Sequence, residues 1–376
     1  MSPFPRPDYA ALRRYDPSRA PVRLDLSDNT NLWGTHPGAL ERIRSADVDD
    51  LARYPELSAD TLREAVAGRF EVAVDAVTTG AGSDDVLDSA FRAAYEPGAT
   101  LRYAAPTFSM VEPLALMNGM VAHGVPWPDA LDDPGRLLAD DPDLVYVCRP
   151  NNPTGEQAPG EWVEELLRLA GDDGPVVIVD EAYADFAEET MISRAPEHHR
   201  LLVARTTSKA YGLAGLRCGF AVGHPEVVLE VEKSRGPYKV SRLATEAAAV
   251  AVRDAEGWMA GTVEAARESR ARLGKELARR GLAPLPSQAN FLFVPAPTGR
   301  ASDDALALRA AGVGVRPFTG VSGVGDGLRV TVGPWGMMED LLTALDEVFP
   351  EAAPAAGTAG HDAVISGDAA PLEGAP

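Results

Sequence analysis

Five short apolar runs recur along the chain, at residues 100–104, 144–148, 176–179, 201–204 and 220–222, with helical or turn sequence between them. Each is too short to be a helix on its own, and each is apolar almost without interruption. A strand that alternates polar and apolar residues has one wet face; a strand apolar throughout has none. Runs of this kind therefore need helices on both sides of one sheet. The predicted fold class is α/β, with a mostly parallel sheet in a larger domain. A sixth short strand, 76–79, meets Gly80-Ala81-Gly82-Ser83-Asp84. The spacing of Val86, Leu87, Ala90, Phe91 and Ala94 predicts a helix directly after it. A helix over 161–170 is expected to bury Trp162, Val163, Leu166 and Leu167. Another follows possible caps at Ser58 and Asp60, with Leu62, Val66 and Phe70 on one face.

At 376 residues the chain exceeds one compact core. Residues 1–35 read as an irregular arm rich in Pro and Arg, and 36–262 as the larger domain. From 263 to 350 the pattern shifts to a smaller α+β domain. There a charged helix over 264–280 ends at Gly281, a natural position just past a helix. Strands at 290–294, 313–316 and 328–332 and a helix near 338–348 complete it. Residues 351–376, rich in Ala, Gly and Pro with no Lys or Arg, read as a disordered tail.

A net charge of −21 (35 basic against 56 acidic residues) excludes nucleic acid and anionic membrane as expected partners. No apolar run approaches membrane-spanning length. Two cysteines, Cys148 and Cys218, make no disulfide framework. The first residues lack the apolar core of a signal peptide, so the cytoplasm is the expected location. Six histidines show no metal-ligand spacing; His198-His199 reads as a surface turn, and no metal is expected.

Lys209, in Thr206-Thr207-Ser208-Lys209-Ala210-Tyr211-Gly212-Leu213-Ala214-Gly215-Leu216-Arg217, lies between two strand-like runs. That is a poor place for a solvated charge. Hydroxyls before it and an arginine after it suit a Schiff-base amine flanked by anion ligands. Gly80-Ala81-Gly82-Ser83-Asp84 can point backbone N–H groups at an anion, although glycines at such turns also serve packing. Arg149-Pro150-Asn151-Asn152-Pro153-Thr154-Gly155 is either a tight turn or an Asn side chain held where open α/β sheets bind ligands. Asp180 follows four apolar strand residues, so burial demands a cation such as a protonated pyridine nitrogen; the alternative is a helix cap. Tyr183 is close enough in sequence to reach a phenolate oxygen. Arg329, inside Leu328-Arg329-Val330-Thr331-Val332, needs an anion, and a carboxylate matches its fork. For Arg316 an internal salt bridge and a ligand contact are both open.

In order, the Asn-Asn-Pro-Thr-Gly, Asp-Glu-Ala-Tyr, Thr-Thr-Ser-Lys-Ala-Tyr-Gly-Leu-Ala-Gly-Leu-Arg-Cys-Gly and Leu-Arg-Val-Thr-Val-Gly stretches resemble the fold-type-I pyridoxal-phosphate aminotransferases of class I/II. The likeness is nearest to the histidinol-phosphate aminotransferase branch and runs over about residues 25–348. It implies pyridoxal 5′-phosphate as cofactor, with Lys209 as Schiff-base lysine and proton carrier. Asp180 is implied at the pyridinium nitrogen, and Asn152 and Tyr183 at the phenolate oxygen. Phe108 stacks on the ring, where many relatives carry Tyr. Gly82, Ser83, Asp84, Thr206, Ser208 and Arg217 hold the phosphate. Arg329 takes the substrate carboxylate or the hydroxymethyl side of an amino alcohol, and Arg316 a distal phosphate. Tyr54 reaches the neighbouring subunit's site, which implies a homodimer. Tyr15 and Asn31 are implied substrate-side contacts.

The implied reaction exchanges an amino group between a histidinol-phosphate-like amino donor and a 2-oxo acid such as 2-oxoglutarate. The arm, Asp28-Asn29-Thr30-Asn31-Leu32-Trp33-Gly34, departs from the family's Asn-Glu-Asn-Pro. The alternatives are therefore an aromatic or phosphonate-bearing oxo acid of specialised metabolism, or a decarboxylase of the threonine-phosphate type.

Overall fold

The computed structural model describes residues 21–94, 96 and 98–350, together with residues 4, 9, 12 and 14. Tyr15 and the tail, 351–376, lie outside the described residues. The strands are β1 Leu24–Asp25, β2 Val77–Gly80, β3 Thr100–Ala105, β4 Val121–Pro126, β5 Leu144–Cys148, β6 Val176–Asp180, β7 Leu201–Thr206, β8 Gly219–Gly223, β9 Phe291–Pro295, β10 Val313–Gly314, β11 Arg316–Val321 and β12 Gly325–Thr331. Seven of them form one sheet in the order β2-β8-β7-β6-β5-β3-β4. The pairs β7–β6, β6–β5, β5–β3 and β3–β4 are parallel, and only β8 runs against its neighbours.

The uninterrupted apolar runs behave as their composition demands. Every residue of β5, β7 and β8 is buried, because helices cover both faces. The exception is β4, Val121-Ala122-His123-Gly124-Val125-Pro126, an exposed edge strand that the sequence reading passed over. Four of its six residues are exposed, so it carries no apolar run to be read, unlike the other edge strand, β2, which is buried throughout. Helix Asp60–Phe70 is capped by neither expected residue. Its N-cap is Ala59, at φ 52°, with no side-chain bond. Ser58 instead donates to Glu232 at 3.3 Å.

A second sheet, β11-β12-β9, is antiparallel, with its own apolar cluster around Leu273, Leu292, Leu308, Val330 and Leu341. The expected strand at 313–316 divides in two: β10 leaves to pair with β1, and Arg316 opens β11. The arm is thus not irregular throughout. β1 runs parallel to β10, and Leu24 and Leu26 join the second core. Helix Trp258–Arg279 begins before the expected 264 and passes through the expected 262/263 boundary. Among the described residues no helix is long and apolar enough to cross a membrane.

Candidate active site

Register places the site. Cys148 pairs with Asp180, and Asp180 with Ala204, so β5 and β6 end together at one edge of the large sheet, and β7 ends two residues further on. The antiparallel β8 starts at that same edge, where Thr206 and Gly80 both pair with Gly219. Open α/β sheets bind ligands at this edge, because helix N-termini and loops converge there. A cavity of about 570 Å³ opens on it, lined by Ser83, Asp84, Phe108, Asn152, Asp180, Tyr183, Thr206, Ser208, Lys209 and Arg217 among others.

Lys209 lies just beyond β7. Its Nζ donates to the carbonyl of Asp28 at 3.0 Å. Burial, and then the Arg329 charge, bring its ammonium down to about 8. A sizeable neutral fraction is what a nucleophilic amine requires near neutral pH.

Asp180 and Glu181 are adjacent acids with opposite surroundings. Glu181 is fully buried between two arginines, 3.2 Å from Arg149 and 3.2 Å from Arg205. Asp180, 3% exposed, has no cationic partner among the described residues. It accepts from the Tyr146 hydroxyl at 2.7 Å and from the Ala182 N–H at 3.1 Å. Burial raises its carboxyl to about 6. Asp180 is not the helix cap left as the alternative: the next helix, Ala184–Phe186, has Tyr183 at its N-cap, and the Ala182 bond closes a two-residue turn. A buried carboxylate aimed into a cavity without a cation is suited to a ligand that brings one.

On the cavity's other side, the N-terminus of helix Ser83–Ala93 has Gly82 at its cap and no side-chain cap bond. Its first N–H groups therefore remain for an anion. Gly82 has φ +91°, and a Cβ there would lie 2.7 Å from Arg217 Nη2. A Cβ on Gly219 would lie 2.3 Å from the Ser83 nitrogen. The Thr206 hydroxyl donates to Ser208 Oγ at 3.0 Å, and Arg217 reaches the same oxygen at 3.4 Å. Arg217 also pairs with Asp84 at 3.3 Å. Phe108 lines both this cavity and a smaller one of about 130 Å³, shared with Asn152, Tyr183, Lys209, Arg316, Phe318 and Arg329.

Arg316 on β11 and Arg329 on β12 are directly opposed residues. Like charges in that relation repel unless an anion joins them. Arg329 donates to Asn152 Oδ1 at 2.5 Å and to the Ser27 carbonyl at 2.7 Å. Among the described residues Arg316 has no acidic partner, so the internal salt bridge left open for it is not formed.

The remaining expectations land elsewhere. Asn31 lines neither cavity: its carboxamide bonds Ala210 O and Trp33 N, both at 2.9 Å. That correction has a plain cause, since both ends of the side chain hold the arm in place. Tyr54 is 80% exposed and stacks on Tyr238, with ring centroids 5.0 Å apart, away from both cavities. His199 and His224 do meet, with Glu226, on the surface, though their sequence spacing gave no sign of it. His224 there also caps helix Pro225–Ser234.

Sequence reasoning missed Tyr146 and Asn29. Tyr146 was legible as the single hydroxyl in an otherwise apolar strand, on the face that Cys148 shares. Asn29 is 1% exposed and donates to the Tyr183 hydroxyl at 3.1 Å; nothing local in the sequence marks it.

Residues 22–347 match the family described as aminotransferase class I and II. The chain belongs to this family. The aminotransferase is 33% identical to histidinol-phosphate aminotransferase 1 of Nostoc sp., over 93% of this chain and 99% of that one. It is 36% identical to the histidinol-phosphate aminotransferase of Acetobacter pasteurianus, with 93% and 99% covered. Among solved structures it superposes on the histidinol-phosphate aminotransferase of Sinorhizobium meliloti in complex with pyridoxal 5′-phosphate. The TM-score is 0.83 and the identity 27%, with 94% of this chain and 100% of that chain covered. The mostly parallel α/β sheet of the aminotransferase is that of these fold-type-I relatives.

Proposed function

We propose that this aminotransferase uses pyridoxal 5′-phosphate to pass an amino group between histidinol phosphate, or a close amino-alcohol phosphate, and a 2-oxo acid such as 2-oxoglutarate. The observation that carries the substrate reading is the opposed pair Arg316 and Arg329 in a small cavity that opens on Lys209. One guanidinium suits the distal phosphate. The other suits the carboxylate of the oxo acid, or the hydroxymethyl group of the amino alcohol. The relatives named histidinol-phosphate aminotransferase support the same reading.

The cofactor fits the donor set: a buried acid without a cation, a glycine-lined helix N-terminus with Arg217, and a lysine held partly neutral. When bound, pyridoxal 5′-phosphate withdraws electrons from the substrate carbon that bears the transferred nitrogen. Asp180 would keep a proton on the ring nitrogen. Asn152 and Tyr183 would donate to the phenolate oxygen, and Phe108 would pack against the ring. Gly82, Ser83, Asp84, Thr206, Ser208 and Arg217 would hold the phosphate. Lys209, buried in the cavity with its ammonium lowered to about 8, would hold the cofactor through its amine and would carry a proton to and from the substrate carbon. Arg329 would hold one end of the substrate and so orient the carbon that bears the transferred nitrogen.

The reading extends to the whole molecule. The arm over 1–35, a larger domain over 36–262 and a smaller one over 263–350 would frame the site, and two copies would pair so that Tyr54 enters the partner's cavity. Two buried free thiols, Cys148 and Cys218, are in keeping with the cytoplasm.

The test is a spectrophotometric half-reaction screen with histidinol phosphate, phosphonoalanine, glutamate and aromatic amino acids. Histidinol phosphate and glutamate should each discharge a visible band that Lys209→Ala lacks. Arg316→Ala should lose the phosphorylated donor at least tenfold more than glutamate. Reaction with phosphonoalanine or an aromatic donor alone would move the substrate into specialised metabolism. Turnover that needs no 2-oxo acid would make the protein a decarboxylase.

A further inference from the structure

The buried asparagine of the arm, Asn29, is hydrogen-bonded to the Tyr183 hydroxyl. The chain of hydrogen bonds can be followed from a donor whose polarity is not in question. The backbone N–H of Asn29 donates to Thr331 Oγ1 at 3.0 Å. The Thr331 hydroxyl in turn donates to Asn29 Oδ1 at 3.1 Å. That fixes the Asn29 carboxamide, whose Nδ2 donates to Tyr183 Oη at 3.1 Å. Turning the carboxamide over would leave the Thr331 proton without an acceptor among the described residues, at a residue 1% exposed. The Asn29 carbonyl is held as well, by Asn290 Nδ2 at 3.0 Å. With Oη already accepting from Asn29, the Tyr183 proton is left to point into the cavity that Tyr183 lines.

We propose that Asn29 is a positioning residue that makes Tyr183 a hydrogen-bond donor toward the cofactor's phenolate oxygen. This rests on the cofactor placement proposed above. Backbone geometry favours an asparagine: Asn29 sits at φ 54°, in the left-handed region that glycine, asparagine and aspartate tolerate and β-branched residues avoid. An aspartate would fit the same backbone and reverse the logic, since a carboxylate accepts from both Thr331 and Tyr183. The Tyr183 proton would then turn away from the cavity.

The experiment reads the pH at which the visible band of the cofactor-loaded protein titrates. A donor on the phenolate oxygen stabilises its negative charge and lowers that midpoint; loss of the donor raises it. Tyr183→Phe and Asn29→Asp are each expected to raise the midpoint by about one unit, the equivalent of one hydrogen bond. The double variant is expected to match Tyr183→Phe alone, since Asn29 acts only through that hydroxyl. Asn29→Gly, which keeps the backbone angle, is expected to give a smaller rise and covers the case in which Asn29→Asp does not fold. Thermal midpoints of the cofactor-free variants separate lost stability from lost polarity. A shift in Tyr183→Phe with none in either Asn29 variant, or shifts that add in the double variant, would overturn the role of Asn29 alone. No shift in Tyr183→Phe would overturn this role together with the placement of the phenolate oxygen.

Discussion

Two groups at the site titrate away from their ordinary values, and both directions follow from burial. Lys209 falls to about 8, and Asp180 rises to about 6. For Asp180 the folded protein binds a proton that the unfolded chain, with an ordinary carboxyl near 3.8, has already released. Between those values the native state holds more protons, so Asp180 makes stability fall as pH rises. Lys209 acts higher: between about 8 and its ordinary 10.5 the unfolded chain holds more protons, and stability rises with pH. In cofactor-free protein, Asp180→Asn is therefore expected to gain stability over the parent from about pH 4 to about pH 6.5, by on the order of 3 kcal/mol. Denaturant midpoints of the two proteins across that range decide it; parallel curves would show Asp180 to be charged and satisfied throughout. On the proposed placement, cofactor binding should erase the difference from the parent's side, because a ring cation would stabilise the carboxylate.

At the scale of elements, the site depends on close approach between β8 and the turn before helix Ser83–Ala93. Gly219 is buried and pairs with both Thr206 and Gly80, and the Ser83 nitrogen passes where its Cβ would be. Gly219→Ala is expected to lose about 2–3 kcal/mol in denaturant unfolding and to retain cofactor more weakly in an equilibrium titration, since the atom displaced belongs to the turn proposed to hold the phosphate.

Much of this edge was legible from sequence because its strands are buried on both faces. β5, β6, β7 and β8 announce themselves by apolar runs, and chemistry must sit just after the first three and just before the antiparallel β8. What escaped was set at long range. β4 is an edge strand and carries no such run. β1 is two residues long and exists only because β10 lies beside it. Asn29 meets Tyr183 from 154 residues away, and the Glu181 network joins Arg149 to Arg205 through three strands' ends. Local periodicity cannot report contacts of that span. Asn29 and Asn31 are asparagines of one arm, and only the tertiary bonds, one to Tyr183 and the other to Ala210, tell them apart.

At the scale of the molecule, the exposed stack of Tyr54 on Tyr238 bears on how sites are built. If Tyr54 completes a partner's cavity, two inactive variants can restore each other. Mixing Lys209→Ala with Tyr54→Ala under exchange conditions should give half the dimers hybrid, each with one intact site. Recovered activity should approach about a quarter of the parent's. Activity no higher than the sum of the separate variants, in a mixture shown by sedimentation to contain hybrids, would leave each site to its own chain.

The arm has a further consequence for anyone redesigning this protein. Its main chain is sewn to the second core by Leu24 N–H on Gly312 O at 3.0 Å, Leu26 N–H on Gly314 O at 2.7 Å and Thr331 N–H on Leu26 O at 2.9 Å. Between those stitches and Tyr183 it delivers Asp28 O to Lys209 and Asn29 to the phenol. Residues 24–31 and 313–331, though nearly 300 positions apart, are one structural unit, and on the proposed function they would be inherited together in any change of substrate. A graft that carries the arginine strands from a relative without their arm would change the cavity wall while removing the Asp28 carbonyl that holds Lys209 in place.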